Sequence, residues 1–104
     1  MPTAISFEDP ANYRRVHALI RRLWDDGAVQ FSAHATKRMG RRGFDANDVQ
    51  QIVRHGQIVE HNRPRPDKAW RHTLAGRTVD GAPAACVVAI EGRLIVITVR
   101  RREE

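Results

Sequence analysis

The 104-residue sequence lacks the features expected of a secreted or membrane-spanning protein. Its single cysteine, Cys86, cannot form an internal disulfide and lies in the apolar run ACVVAI, which indicates ordinary core packing. No apolar run approaches the roughly 20 residues of a membrane span, and the start MPTAISFEDPANYRR does not have the pattern of a signal peptide. We therefore expect a cytoplasmic protein without membrane association, folded as a single domain over residues 1–104.

Motifs for metals and cofactors are missing as well. The histidines and the cysteine show no HExxH or CxxC spacing, and the acidic residues do not cluster. The sequence also has no glycine-rich phosphate loop and no GxSxG nucleophile motif. We therefore expect no metal ion and no organic cofactor.

Negative charge is scarce, since 12 Asp plus Glu face 18 Lys plus Arg, which gives a net charge of +6. Lysine occurs only at Lys37 and Lys68, so arginine supplies most of the positive charge. The planar guanidinium of arginine suits bidentate contact with phosphate. A GC-rich coding sequence would also favour arginine over lysine. The charge therefore favours a polyanion such as RNA as the partner without establishing it.

Hydrophobic periodicity predicts three helices in the first half of the chain. The first is amphipathic and runs from Asp9 to Asp26, with Pro10 in its first turn. After the short strand-like run AVQF, Ser32 is a good N-cap for a second helix to about Arg42. Asp45 begins the third helix, which ends at a glycine before the next apolar run.

The second half of the chain has a period of two, typical of strands. The four runs are QIVEHNR, AWRHTLAGR, PAACVVAI and RLIVITVRR. They predict an antiparallel meander, and therefore an α+β fold with helices packed on one face of an antiparallel sheet of about four strands. In the last strand we expect Ile95, Ile97 and Val99 to face the core, and Thr98 and Arg100 to face the opposite surface.

The second helix carries an ordered basic stripe. His34, Arg38 and Arg42 are four residues apart and share one face, which Lys37 and Arg41 extend on one side. Like charges at this spacing repel by a few tenths of a kcal/mol per pair, and a bound phosphate would turn the repulsion into attraction. The helix N-terminus disfavours an imidazolium at His34, which would leave the ring able to accept a proton. The alternative is a solvated basic face.

The segment HATKRMGRRGFDANDVQQIVRHGQIVE, with the later LIVITV, resembles the bacterial family of domains of unknown function DUF4258. The resemblance covers about residues 31–100 and leaves the N-terminal helix outside. That family is in turn distantly similar to ribonuclease toxins of the RelE and MqsR type, in which helices pack on an antiparallel sheet whose exposed face cleaves RNA. The resemblance implies a RelE-like core over residues 28–101, an RNA substrate and an acidic antitoxin protein as partner.

RNA cleavage without a metal needs a base for the 2′-hydroxyl, cations for the phosphorane and an acid for the leaving 5′-oxygen. The candidate catalytic residues are His34, Arg38, Arg42 and Thr98. The candidate RNA-binding residues are Lys37, Arg41, Arg71, His72 and Arg100.

Several alternatives stay open. One stripe arginine can instead pair with an acidic residue such as Glu60 to fix the helix to the sheet. His72 is in phase with Leu74, which favours a position facing the core. The whole chain can also be a non-catalytic basic module that binds nucleic acid or protein. It is either a monomer or a homodimer through the N-terminal helix.

Overall fold

A computed structural model describes residues 12–102 of the chain. The elements in chain order are α1 (Tyr13–Asp25), β1 (Val29–Phe31), α2 (Ala33–Arg42), α3 (Ala46–His55), β2 (Gln57–Asn62), β3 (Arg71–Arg77), β4 (Pro83–Ile90) and β5 (Leu94–Arg101). Three helices therefore pack against a five-stranded mixed sheet. None of the helices in residues 12–102 has the length and apolarity needed to cross a membrane.

The helix boundaries follow the capping residues in the sequence. Ser32 caps α2, because its Oγ accepts a hydrogen bond from the backbone N–H of Ala35 at 3.0 Å, and Gly43 ends the helix with a φ of 73°. Asp45 and Asp48 form a reciprocal capping box at the start of α3. Both predicted helices are confirmed. The predicted start of the first helix at Asp9 lies outside the described residues.

The sheet has the order β1-β5-β4-β3-β2. All four predicted strands of the antiparallel meander are present. The prediction of a sheet of about four antiparallel strands needs correction, because β1 is a fifth strand and pairs parallel to β5, with Gln30 opposite Ile95. The run AVQF predicted the strand but not its partner strand, because the pairing of β1 with β5 joins segments more than 60 residues apart.

The side chains of β5 change phase at a bulge. Its register with β4 shifts between the pairs Val87–Thr98 and Val88–Val96, which makes Ile97 the extra residue. Leu94, Val96 and Val99 are consequently buried under the helices. The prediction that Ile95 and Ile97 face the core was wrong, because strict alternation does not continue through a bulge.

The opposite side of the sheet, called the open face below, has none of the described helices packed against it. On β3 it carries the side chains of alternate residues from Arg71 to Arg77, and on β5 those of Ile95, Ile97, Thr98 and Arg100. The helix-covered side holds the core, to which all three helices contribute. Val16 and Ile20 of α1 are fully buried there, so the apolar stripe of the N-terminal helix is used within its own chain.

Helix α2 lies along the outer edge of β5 beyond the end of the short β1. Ser32 Oγ donates to the carbonyl of Ile97 at 3.0 Å, and Arg42 Nη1 donates to the carbonyl of Val99 at 2.8 Å. Two carbonyls that would otherwise face solvent at a strand edge are therefore satisfied by this helix. The start of α2 is thus fixed relative to the bulge in β5.

Two further features show how closely the sheet is packed. Gly56, at the end of α3, packs so closely on β3 that a Cβ atom there would lie 2.5 Å from the carbonyl oxygen of Ala75. Cys86 lies on β4, which pairs with β3 on one side and β5 on the other, and it has no exposed surface. Burial raises the pKa of its thiol to about 12.

Candidate functional site

An open cavity of about 580 Å³ lies on the open face, beside the first turn of α2. Three of the predicted site residues line it, although they come from three distant segments: His34, Arg71 and Thr98. Ser32, Lys68 and Glu91 also contribute to its walls. The cavity therefore combines an imidazole, two cations, a carboxylate and hydroxyl groups.

Each of the predicted side chains reaches the cavity for a local reason. His34 is exposed in the first turn of α2, which the Ser32 hydroxyl holds against β5. Thr98 follows the bulge residue Ile97, and the two together line the cavity. Arg71 begins β3 and pairs with Ala89 of β4, which forms part of the cavity floor. The bulge and the N-cap together set the position of His34 relative to Thr98.

The sequence analysis missed Lys68 and Glu91. Lys68 precedes β3 by three residues, and Glu91 directly follows β4. Because Arg71 pairs with Ala89, the start of β3 and the end of β4 lie at the same end of the sheet. Both residues fall between the predicted strand runs. The antiparallel pairing of the two predicted strands was the signal that could have placed them together.

The structure does not bring the rest of the basic stripe into the cavity. Arg42 is half-buried and binds the carbonyl of Val99, so it anchors α2 to the sheet. The anchoring role considered in the sequence analysis therefore falls to Arg42, with a main-chain oxygen as its partner instead of Glu60. Arg38 lies one turn beyond His34, is half-buried and does not line the cavity.

The remaining candidates for RNA binding are exposed but outside the cavity wall. Lys37 and Arg41 are exposed on α2. Arg100 is exposed on the open face, two residues beyond Thr98. These side chains add positive charge around the cavity without forming part of it.

His72 requires a correction. It has no exposed surface, and it lies on the helix-covered side of β3 next to the core residue Leu74. A side chain in that position does not contact RNA on the open face. Its Nδ1 lies 2.6 Å from Nδ1 of His61, so one ring must donate the N–H and the other must accept it. Burial, followed by the charge of His61, lowers the pKa of His72 to about 4.

Within residues 12–102, no three His, Cys, Asp or Glu side chains lie close enough together to hold a metal ion. The cavity side chains themselves include anion-binding and proton-transferring groups. Lys68 and Arg71 can bind an anion, and His34 and Glu91 can transfer protons. This combination suits a phosphate ester whose cleavage requires both a base and an acid.

The chain was compared with known protein families. The family described as a domain of unknown function (DUF4258) matches residues 31–101. No curated protein and no solved structure matches the chain. The matched residues contain the whole cavity wall, from the cap of α2 to Thr98 of β5.

Proposed function

We propose that this chain, which belongs to the DUF4258 family, is a metal-independent endoribonuclease that binds RNA on the open face of its sheet. One observation carries the proposal: the cavity gathers His34, Arg71 and Thr98 from segments far apart in the sequence. A general basic surface would not require a histidine, a guanidinium and a hydroxyl to share one cavity. The net charge of +6 supports a polyanionic substrate.

In the proposed reaction the scissile phosphate lies between Lys68 and Arg71. Their positive charges stabilise the extra negative charge of the phosphorane, and the Thr98 hydroxyl donates a hydrogen bond to a non-bridging oxygen. These three groups do not take part in proton transfer. Their contribution is to bind and orient the phosphate next to the two groups that do.

The proton transfers are assigned to Glu91 and His34. The Glu91 carboxylate removes the proton of the 2′-hydroxyl, whose oxygen then attacks phosphorus. The P–O5′ bond breaks, and the His34 imidazolium gives its proton to the leaving oxygen. The products are a 2′,3′-cyclic phosphate and a free 5′-hydroxyl.

The biological setting is the second part of the proposal. The proposed nuclease has a RelE-like core over residues 28–101 and an acidic antitoxin protein as its partner. Inhibition by the antitoxin would explain why such a nuclease does not damage its own cell. The positive charge of the chain would attract an acidic partner. A homodimer through α1 also stays a prediction. Because Val16 and Ile20 are buried in the core of the same chain, that dimer would have to use the exposed side of the helix.

The test is cleavage of an end-labelled RNA in the presence of EDTA. We expect the wild-type chain to cut it, and His34→Gln or Glu91→Gln to lower the rate by roughly 10²–10⁴-fold. Thr36→Gln changes an exposed residue of the same helix that does not line the cavity, and it should keep full activity. A 2′-deoxy substitution at the cut site should abolish cleavage.

Expression in cells provides a second readout. Growth arrest by the wild-type chain, relieved by His34→Ala while the protein stays folded, is the expected result. RNA left intact by the purified chain, together with harmless expression, would rule out the nuclease.

A non-catalytic basic module is the second candidate, and the position of Arg42 favours it. One of the three stripe residues is used to hold α2 in place, and much of the positive charge lies outside the cavity on exposed residues such as Arg41 and Arg100. Such a module would bind RNA with an affinity that falls steeply with salt, and His34→Gln would leave that affinity unchanged.

A further inference from the structure

A second cationic surface lies where α3 ends and β2 begins. Two cavities of about 560 and 450 Å³ meet there, and their walls share His55, Gly56 and Gln57. We call the combined feature the end groove. Its polar wall includes Arg14, Arg21, His55, Gln57, Arg77 and Arg102. Sequence analysis assigned no binding role to any of these residues.

Arginine side chains line both cavities of the end groove. Among the described residues, neither of its two walls includes an aspartate or a glutamate. Arg54 also lines it, but its charge is compensated by an ion pair with Asp25. For Arg14 and Arg102, no acidic partner lies within ion-pair distance in residues 12–102. These two guanidinium groups, which no carboxylate of residues 12–102 compensates, favour an anionic ligand.

A buried histidine holds one of these arginines in place. The ring of His17 is 6% exposed, and its Nε2 lies 2.6 Å from the carbonyl oxygen of Val53, which can only accept a hydrogen bond. Nδ1 of a neutral His17 therefore has a lone pair, and it accepts a bond from Arg21 Nη2 at 3.2 Å. Burial lowers the pKa of His17 and so keeps the ring neutral. Within residues 12–102, the other N–H groups of Arg21 have no hydrogen-bond partner, and the side chain lines the groove.

The end groove joins the open face of the sheet. Gln57 and Ala75 both line it and are paired across β2 and β3, and the same cross-strand row continues through Ala85 to Arg100. Ala75 is four residues along β3 from Arg71 in the cavity, a distance of about 13 Å at 3.3 Å per residue. The cavity and the groove are therefore parts of one surface, with Arg100 between them.

We propose that the end groove binds the backbone phosphates of the RNA segment adjacent to the one held in the cavity, and that this segment is single-stranded. The inference rests on the proposed function for the location of the scissile phosphate. Cationic grooves that follow the backbone are the usual means of holding single strands, with sites of about 4–16 nucleotides. The path runs from the open face to the helix side around a molecule only 25–27 Å across. A double helix, with a persistence length of about 500 Å, cannot follow that turn at low cost.

The test measures binding separately from cleavage. Fluorescence anisotropy with 2′-O-methyl oligonucleotides, which cannot be cut by 2′-hydroxyl attack, gives the affinity of a 4-mer and a 16-mer at several salt concentrations. The variant is Arg14→Gln with Arg102→Gln. The matched control is Arg15→Gln with Arg22→Gln, which removes two exposed charges of α1 that do not line the groove.

Each phosphate contact to a single strand contributes about 0.7 to the slope of log affinity against log salt concentration. Loss of two contacts should therefore lower the slope for the 16-mer by about 1.4, which is about sevenfold in affinity between 50 and 200 mM salt. The 4-mer has too few phosphates to occupy the cavity and the whole groove at once, so its salt slope should change less than that of the 16-mer. The control substitutions should not change the salt slope of either oligonucleotide. With a duplex form of the 16-mer, the groove variant and the wild-type chain should give the same salt slope.

The outcomes separate the two proposals. If RNA is never cleaved but the groove variant alone lowers the slope for the 16-mer, the nuclease proposal fails and the end groove stands. If RNA is cleaved but the groove variant and the control give the same slope, the end groove is not a binding site. A duplex that shows the same salt slope as the single strand would overturn the assignment to single-stranded RNA.

Discussion

Lowering the pH from 7 to 5 should destabilise the folded chain by about 2 kcal/mol through His72 alone. The pKa of this histidine is 6.5 in its ordinary state and about 4 in the folded chain, because its ring has no exposed surface and lies against His61. Between these two values the unfolded chain binds a proton that the folded chain does not. The free energy of unfolding is therefore fully retained above pH 6.5 and decreases as the pH falls towards 4.

Urea denaturation at pH 7 and pH 5, followed by tryptophan fluorescence, measures this difference. Burial also lowers the pKa of His17 and His61, so both act in the same direction and the total loss should exceed the His72 contribution. His72→Leu should reduce the pH dependence by about 2 kcal/mol. His55→Gln, a change at an exposed histidine, is the matched control and should keep it. Equal unfolding free energies of the wild-type chain at both pH values would refute the assignment of a buried neutral His72.

Three further predictions concern packing and anchoring, and urea denaturation measures each of them. Gly56→Ala should destabilise the folded chain by about 3 kcal/mol or more, because the new Cβ would meet backbone atoms. Gly40→Ala, whose Cβ would have nothing within 4 Å, should stabilise it by about 0.5–1 kcal/mol. Equal effects of the two substitutions would contradict the close packing at Gly56. Arg42→Met should cost about 1–3 kcal/mol by leaving a β5 carbonyl without its donor, and Arg41→Met, an exposed control, less than about 0.5 kcal/mol. Asp48→Ala should cost about 2 kcal/mol, because its buried carboxylate completes the α3 capping box and accepts the Val79 N–H; no loss would refute that role.

Local chemistry made much of the fold predictable. The N-caps Ser32 and Asp45 and the left-handed Gly43 act within one helical turn, so the sequence contains all the information that sets these boundaries. The four strands of the meander were likewise predicted from their alternating residues. The parallel pairing of β1 with β5 was not, since it depends on two segments far apart in the chain.

The candidate site was harder to predict because it depends on tertiary contacts. His34, Arg71 and Thr98 were identified by residue type, but nothing in the sequence showed that they share a cavity. The bulge at Ile97 changed which residues of β5 lie on its buried side, and no local residue pattern predicted the bulge. Arg42 was equally plausible as a phosphate ligand or an anchor until its main-chain partner was known. Helical spacing shows which residues share a face of a helix. Contacts with the neighbouring strand determine whether such a residue binds a ligand or anchors the helix.

Cys86 provides the chain with its own chemical probe of unfolding. Thiol reagents attack an accessible thiolate, and this thiol is buried, protonated and located on a strand paired on both sides. Alkylation therefore has to wait until β4 separates from its neighbours. Since the sequence contains one cysteine, each molecule is labelled once, and the labelling rate reports the opening of the centre of the sheet. Each variant can thus be checked for global opening without adding a probe to it.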